Sequence, residues 1–217
     1  SLGAVDFFDA RSITPTLADL SNYSAVLVYS DGSFADAVSL GNALADYVDA
    51  GGAVVLATFA FQDIAGRIVT GGYLPVTLGG QNSPGGLTLV PIDPGNPLLV
   101  GVSSFNGGTS SYYNDVSLTA GSTLVAEWSN GVPLIAVRGS VISLNLYPPS
   151  TDSRIDFWVA STDGAVMMAN ALGYAGGPIA PPGASAIPVL PFWAFMLMTS
   201  MIGILGLGQL IRGRQRH

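Results

Sequence analysis

Cysteine and lysine are absent from this 217-residue chain, and its one histidine is the final residue, His217. The absence of cysteine excludes disulfide bonds and thiol chemistry. Apart from that terminal residue, the chain offers no histidine that could act as the base for a serine nucleophile, which excludes a Ser-His-Asp mechanism. Residues 1–186 carry four arginines against fourteen acidic residues, a net charge of −10. Such an acidic domain repels nucleic acid, so we predict no nucleic-acid partner.

Charge is also missing from residues 192–211, a run of twenty uncharged residues. In a helix with a rise of about 1.5 Å per residue, this run would cover the roughly 30 Å hydrocarbon core of a bilayer. A buried core helix rarely runs so long without charge. The sequence therefore predicts one transmembrane helix, with the lipid bilayer as its partner. Three arginines follow the run: Arg212, Arg214 and Arg216.

The positions of these arginines predict the orientation of the helix. Positively charged flanks stay in the cytoplasm, so the opposite end, with Trp193 at the interface, faces the periplasm. We therefore predict a single-pass protein of the bacterial inner membrane, with a large periplasmic domain and a cytoplasmic C-terminus. Thr199 and Gly203 lie four residues apart on one helix face, where small side chains let another helix approach closely. This spacing predicts that the helix docks onto partner helices of a larger membrane complex.

The segment that precedes the apolar run has a recognisable order of residues. Residues 187–193 read IPVLPFW and are followed by the apolar helix and the basic cluster. This order resembles the IPTL-type C-terminal sorting signal of Gram-negative bacteria, a relative of the PEP type, with Val189 standing where that signal usually has threonine. The resemblance implies export, followed either by anchoring or by cleavage by a sorting protease of the exosortase kind and transfer to the cell surface.

The first third of the chain alternates strand and helix patterns. Residues 25–29 (AVLVY) and 53–57 (AVVLA) are continuous apolar runs of the kind that parallel strands buried on both faces show. Between them, residues 36–49 place apolar side chains at helical spacing, and Gly51 and Gly52 end that helix. A strand, a helix and a strand with short connections predict a right-handed βαβ unit and the α/β class.

The remaining pattern is less regular. Residues 66–108 are rich in glycine and proline, and they predict a long irregular excursion with edge strands and no helix. A strand is also predicted at residues 3–8 and one helical turn at 16–20. Further elements are predicted at 123–128 and 133–138, which form a hairpin around Asn130-Gly131, at 141–146 (strand) and at 163–174, a helix with Asp163 as N-cap. Residues 176–186 (GGPIAPPGASA) read as a linker.

Three of these stretches together resemble a known family. Residues 22–31 (NYSAVLVYSD), residues 45–52 (ADYVDAGG) and the late Pro148-Pro149-Ser150 with Asp163-Gly164 are similar to the class I glutamine-amidotransferase-like, trehalose-utilisation-type domains. The resemblance implies a flavodoxin-like three-layer α/β fold with a mainly parallel sheet, and an N-terminal βα unit before Gly3 that this sequence does not include. It gives three regions: an ectodomain (1–175), the linker (176–186) and the anchor (187–217).

The resemblance also indicates where a site would lie. In amidotransferases a catalytic cysteine occupies the turn that follows the strand matching 53–57, but here that turn reads Thr58-Phe59-Ala60-Phe61. We therefore predict no enzyme activity, no catalytic residue, no metal and no cofactor. Ligands of open α/β sheets bind at the carboxyl ends of the strands. The candidate ligand-binding residues are Asp31, Ser33, Thr58 and Phe59.

Two functions of different classes follow from the sequence. The first is a non-catalytic structural or interaction protein, either an accessory subunit of a respiratory or photosynthetic membrane complex or a surface protein. The second is a module that binds a carbohydrate or another small ligand. The paired aromatic residues Tyr112-Tyr113 and Phe157-Trp158 would suit a sugar platform, although such pairs more often belong to a core.

Overall fold

The computed structural model describes residues 2–175, which form a mixed β-sheet with helices on both faces. The strands in chain order are β1 (Ala25–Val28), β2 (Ala53–Ala57), β3 (Gln81–Asn82), β4 (Leu89–Pro91), β5 (Tyr113–Asn114), β6 (Thr123–Trp128), β7 (Pro133–Arg138) and β8 (Val141–Leu144). The helices are α1 (Leu17–Leu20), α2 (Ala37–Asp49), α3 (Ala60–Asp63), α4 (Arg67–Thr70) and α5 (Gly164–Ala175), with a 3₁₀ turn at Pro97–Leu99.

The main sheet has six strands in the order β1-β2-β8-β7-β6-β4, and β3 pairs with β5 in a separate ribbon. β1, β2 and β8 are parallel neighbours, whereas the pairs beyond β8 are antiparallel. Strands β1, β2, β8 and β6 therefore run in one direction, and β7 and β4 run in the other. The predicted α/β class is confirmed, and four of the six strands run in the same direction, although only β1, β2 and β8 pair in parallel.

Helices cover both faces of this sheet, which gives three layers. Every residue of β2 is buried, and the side chains alternate between two core clusters. Val54 and Leu56 join Leu44 of α2 on one face. Val55 joins Met167 of α5 on the other face. The continuous apolar run of β2 thus serves both layers, as expected for a strand buried on both sides.

Helix α2 begins and ends as its sequence predicts. The Asp36 carboxylate accepts hydrogen bonds from the N–H groups of Val38 and Ser39, at 3.0 and 2.9 Å, and so caps the helix. At the other end, Gly51 adopts a φ of +93°, which a residue with a side chain disfavours. On the face toward α4, a Cβ at Gly41 would lie 1.7 Å from the carbonyl oxygen of Ala65. Glycine at this position therefore lets α2 approach the chain before α4.

The predicted hairpin is also present. β6 and β7 have the predicted bounds, and Gly131 in their connection has a φ of +84°. The Trp128 N–H donates to the Val132 carbonyl at 2.8 Å, which closes the turn. The register shifts twice within the pair, on either side of Ala126, so the ladder is irregular around the Ala126–Ile135 pair.

Three predictions for individual segments are wrong. Residues 3–8 form no strand, and Val5 and Phe7 are 75% and 79% exposed. The glycine-rich excursion does contain helix, namely α4 and the 3₁₀ turn, and the Arg67 N–H of α4 donates to Asn42 Oδ1 at 2.8 Å. Asp163 directly precedes α5 as predicted, and its carbonyl accepts from the Met167 N–H at 3.0 Å. Its carboxylate, however, accepts from the N–H groups of Ser103 and Ser104, at 2.8 and 2.9 Å, rather than from its own helix.

The predicted linker and anchor fall outside the described residues. So do the residues proposed for membrane contact: Trp193, Thr199, Gly203, Arg212, Arg214 and Arg216. Within residues 2–175, no helix combines the length and the apolar composition needed to cross a bilayer.

Candidate functional site

A cleft of about 300 Å³ opens where β1, β2 and β8 end. We call it the strand-end cleft. Carboxyl ends of strands that meet at one edge of an open sheet are the usual place for a ligand in α/β folds. The lining residues come from these strand ends, from α3, from β3, from the residue before β5 and from the loop that follows β8: Asp31, Gly32, Ser33, Phe59, Gln62, Asp63, Gln81, Tyr112, Tyr147, Arg154 and Phe157.

Hydrogen bonds between neighbouring strand ends fix one side of the cleft. The Phe59 N–H, just after β2, donates to the Ser30 carbonyl, just after β1, at 3.3 Å. The Ser30 hydroxyl in turn donates to Asp63 Oδ2 of α3 at 2.7 Å. These two bonds tie the segment that carries Asp31 to the helix that carries Asp63.

The β3 ribbon is joined to the same side. The Gln81 N–H donates to Gln62 Oε1 at 3.1 Å. Both side chains line the cleft, and both are exposed. Their amide groups therefore offer a ligand hydrogen-bond donors as well as acceptors.

Aromatic rings form the floor and the far wall. Phe59, Tyr147 and Phe157 make one buried cluster, with Tyr112 packed against it. The ring centroid of Tyr147 lies 5.2 Å from that of Phe59 and 5.0 Å from that of Phe157. The Phe59 and Tyr112 rings meet edge to face at 5.5 Å. Such pairs contribute about 0.5–1.5 kcal/mol each beyond their area burial, so this wall is firmly held.

An ion pair stands at the rim on the side of Phe157. Arg154 donates through Nε and Nη2 to the two oxygens of the Asp156 carboxylate, and the Nη2 bond measures 2.8 Å. Because of these bonds, the pKa of Asp156 is lowered to about 2. The Tyr112 hydroxyl also donates to Asp156, at 3.1 Å. The guanidinium carbon of Arg154 lies 4.2 Å from the centroid of the Phe157 ring, a cation–π contact.

The Tyr147 hydroxyl at the floor stays protonated. Burial raises the pKa of this phenol well above its usual value, and the negative charge of Asp31 raises it further. A phenol held in its neutral form serves a ligand as a hydrogen-bond donor or acceptor and does not act as a base at neutral pH.

A fully buried polar cluster lies beneath the cleft. Asn145 Oδ1 accepts from the Thr58 hydroxyl at 2.9 Å and from the Asn114 N–H at 2.8 Å. Asn145 Nδ2 donates to the carbonyls of Asn114 and Pro133, at 2.9 and 3.0 Å. The side chain of Asn145 therefore makes four hydrogen bonds and links the ends of β2, β5 and β7.

The structure brings together three of the four residues proposed from the sequence. Asp31, Ser33 and Phe59 line the cleft, whereas Thr58 is fully buried and bonded to Asn145. Tyr147 was missed, although it follows a predicted strand and the same strand-end rule would have found it. Within residues 2–175, no three histidine or acidic side chains come together as metal ligands would.

Comparisons with known proteins give likeness in structure alone. No protein-family profile matches the sequence, and a search of curated proteins finds no match. Two similar solved structures are cytoplasmic proteins of Salmonella typhimurium. The first, STM3548, is 16% identical over 78% of this chain and 76% of its own, with a TM-score of 0.53. The second, STM1381, is 19% identical over 72% of this chain and 74% of its own, with a TM-score of 0.53.

A third similar structure bears on the resemblance proposed above. It is a ThuA-like protein of Bacteroides uniformis, 12% identical over 74% of this chain and 72% of its own, with a TM-score of 0.52. At such identity the likeness shows the fold alone, and the predicted fold class is confirmed at that level. The sorting signal is not part of the match.

The same comparisons correct the localisation. The sequence predicts a single-pass protein of the bacterial inner membrane with a periplasmic domain and a cytoplasmic C-terminus. That prediction is contradicted, since two of the similar structures are of proteins named cytoplasmic. The apolar run 192–211 and the arginines after it, from which the localisation was predicted, lie outside the described residues.

Proposed function

We propose that this domain is a non-catalytic binding module whose small ligand occupies the strand-end cleft. The observation that carries the proposal is the cleft itself. It offers about 300 Å³ at the ends of three parallel strands and combines carboxylates, amides and a hydroxyl with aromatic rings. Pockets of this size, with a few converging polar groups over an apolar floor, are the usual form of a small-molecule site. The volume corresponds to about ten water molecules, enough for a ligand of modest size.

The residue at the turn after β2 supports a role without catalysis. A nucleophile at this turn would need to face the cleft and to meet a base. Thr58 instead points inward, and its hydroxyl donates a hydrogen bond to Asn145 Oδ1. No histidine lies among residues 2–175, and the one phenol at the floor, Tyr147, keeps its proton.

Two measurements test this proposal together. We expect the full-length protein to show no turnover of glutamine or of p-nitrophenyl acetate above buffer, with no difference after Thr58→Ala. In a thermal-shift screen of small molecules, we expect ligands whose stabilising effect disappears in Ser33→Trp, because an indole at Ser33 would fill the cleft. The matched control is Ser103→Trp, at an exposed serine that does not line the cleft. Turnover that depends on Thr58 would refute the proposal, and so would ligands whose stabilising effect persists in Ser33→Trp.

A structural or interaction role is the second candidate, and one observation favours it. Val5, Phe7 and Ile13 are 75%, 79% and 64% exposed. Exposed apolar side chains grouped in one short segment are common at protein–protein contacts. The test compares the proteins that remain bound to the full-length chain with those bound to a Val5→Ser, Phe7→Ser variant. A stoichiometric partner lost only in the variant would support this role, and identical bound proteins would exclude it.

A further inference from the structure

The walls of the strand-end cleft carry negative charge that the chain leaves uncompensated. Asp31 and Asp63 both line the cleft. Among residues 2–175, the ion pairs join Arg11 to Asp9, Arg67 to Asp46 and Asp49, and Arg154 to Asp156. Neither cleft carboxylate belongs to any of them.

The arginines near the cleft are already engaged. Arg154 is the one basic residue among the lining residues, and it gives two hydrogen bonds to Asp156. Arg11 feels the charge of Asp31, but its guanidinium is bound to Asp9 at 2.9 and 3.0 Å. Each arginine is therefore neutralised by its own aspartate, and the cleft retains the charge of two carboxylates.

The aromatic wall is suited to a cation as well. The face of an aromatic ring is negative, and a cation within about 6 Å of the ring centroid is attracted to it. The chain itself uses one of these faces in this way, since the Arg154 guanidinium lies 4.2 Å from the Phe157 centroid. Phe59, Tyr112 and Tyr147 present further rings to the same space. The surroundings add to this preference, because residues 2–175 hold fourteen acidic residues and four arginines.

We propose that the strand-end cleft binds a small organic cation, an amine whose ammonium group pairs with the carboxylates of Asp31 and Asp63 while its apolar part lies against the aromatic wall. This inference rests on the proposed function and names its ligand class. The side-chain amide oxygens of Gln62 and Gln81, which are exposed, can accept hydrogen bonds from the remaining N–H groups of the ammonium. Anionic ligands are disfavoured by the same two carboxylates.

A ligand series that changes charge while keeping shape tests the inference. The probes are benzylamine, benzyl alcohol and benzoate, with D-glucose as a neutral polyol, added to the full-length protein in low salt and followed by calorimetry and saturation-transfer NMR. We expect benzylamine to bind at least about tenfold more tightly than benzyl alcohol, because a charge-assisted hydrogen bond is worth at least that factor. Benzoate is expected not to bind. Added salt should weaken the binding of benzylamine.

Single substitutions of carboxylates test whether Asp31 and Asp63 are the groups that pair with the ammonium. Asp31→Asn and Asp63→Asn keep the size of the side chain, lie at partly or fully exposed positions, and are expected to weaken benzylamine about tenfold each. Asp115→Asn removes an exposed carboxylate that does not line the cleft, and it should leave the affinity unchanged. Circular dichroism of each variant checks that the fold is kept.

The outcomes separate this inference from the function it rests on. If benzyl alcohol or glucose binds as tightly as benzylamine, and Ser33→Trp abolishes that binding, the cleft is a binding site but the inference of a cation is wrong. If benzylamine binds equally well to Asp31→Asn, Asp63→Asn and the control, the inference is also wrong. If none of the four probes binds, the inference fails; the proposed function fails with it only if the wider thermal-shift screen also yields no ligand.

Discussion

The removal of the Asn145 side chain should cost this domain a large share of its stability. This amide makes four hydrogen bonds in a fully buried position, to the Thr58 hydroxyl, to the N–H and carbonyl of Asn114, and to the Pro133 carbonyl. Each buried hydrogen bond contributes about 1 kcal/mol net, and an orphaned donor costs more. Asn145→Ala should therefore lower the free energy of unfolding by about 4 kcal/mol, out of a total of roughly 5–15 kcal/mol.

Urea unfolding of the full-length chain measures this loss. With a slope of roughly 2 kcal/mol per molar urea, the midpoint should fall by about 2 M. Asn145→Leu separates hydrogen bonding from packing, because leucine fills the same volume but leaves Thr58 and Asn114 unpaired; we expect a similar loss. The control is Asn82→Ala, at an exposed asparagine, which should change stability by less than about 0.5 kcal/mol. A loss below about 1 kcal/mol for Asn145→Ala, or full stability for Asn145→Leu, would refute the reasoning.

The remaining predictions concern the substitution of two glycines and the loss of stability at acid pH. Gly41→Ala should destabilise by about 1–3 kcal/mol because its Cβ would collide with the Ala65 carbonyl. Gly173→Ala in α5 meets no atom within 4 Å and should stabilise by about 0.5–1 kcal/mol. A raised melting temperature for Gly41→Ala would contradict the first prediction, and a lowered one for Gly173→Ala would contradict the second. The pKa of Asp156 is lowered from its usual 3.8 to about 2, so its stabilising effect is present above the usual value and is lost as the pH falls toward 2. The difference in melting temperature between wild type and Asp156→Asn should therefore shrink over that range, and a constant difference would argue against the ion pair.

The central elements could be predicted from the sequence because local pattern and tertiary environment agree there. β2 was predicted with its observed bounds, since a strand buried on both faces needs an unbroken apolar run. Asp36 and Gly51 likewise mark the two ends of α2 through their own backbone chemistry. Residues 3–8 (GAVDFF) also carry a short, mainly apolar run, interrupted by Asp6, yet they form no strand. An apolar run becomes a strand only where a neighbouring strand is available to pair with it.

The site could be predicted only in part, for a related reason. The strand-end rule found Asp31, Ser33 and Phe59, because strand order alone decides where they lie. It failed for Thr58, whose side chain turns inward to a partner 87 residues away in sequence. Gln81 lies in the short strand β3 and Arg154 in a loop. The paths of both segments depend on contacts with distant residues, and no local signal in the sequence marks them as neighbours of the cleft.

The sheet order gives the cleft two walls of unequal stiffness. β2 and β8 are fully buried and paired on both sides, whereas β1 lies at the edge of the main sheet and is buried only in part. Segments with fewer neighbours open and shift at lower cost. Ser30 anchors the base of the wall that carries Asp31, Gly32 and Ser33. Beyond that anchor we expect this wall to be more compliant than the wall that carries Phe59 and Tyr147. For the ligand binding that we propose, we therefore expect ligands of different width to be accommodated by movement of the β1 side, and ligands to be discriminated by charge and chemistry more than by size.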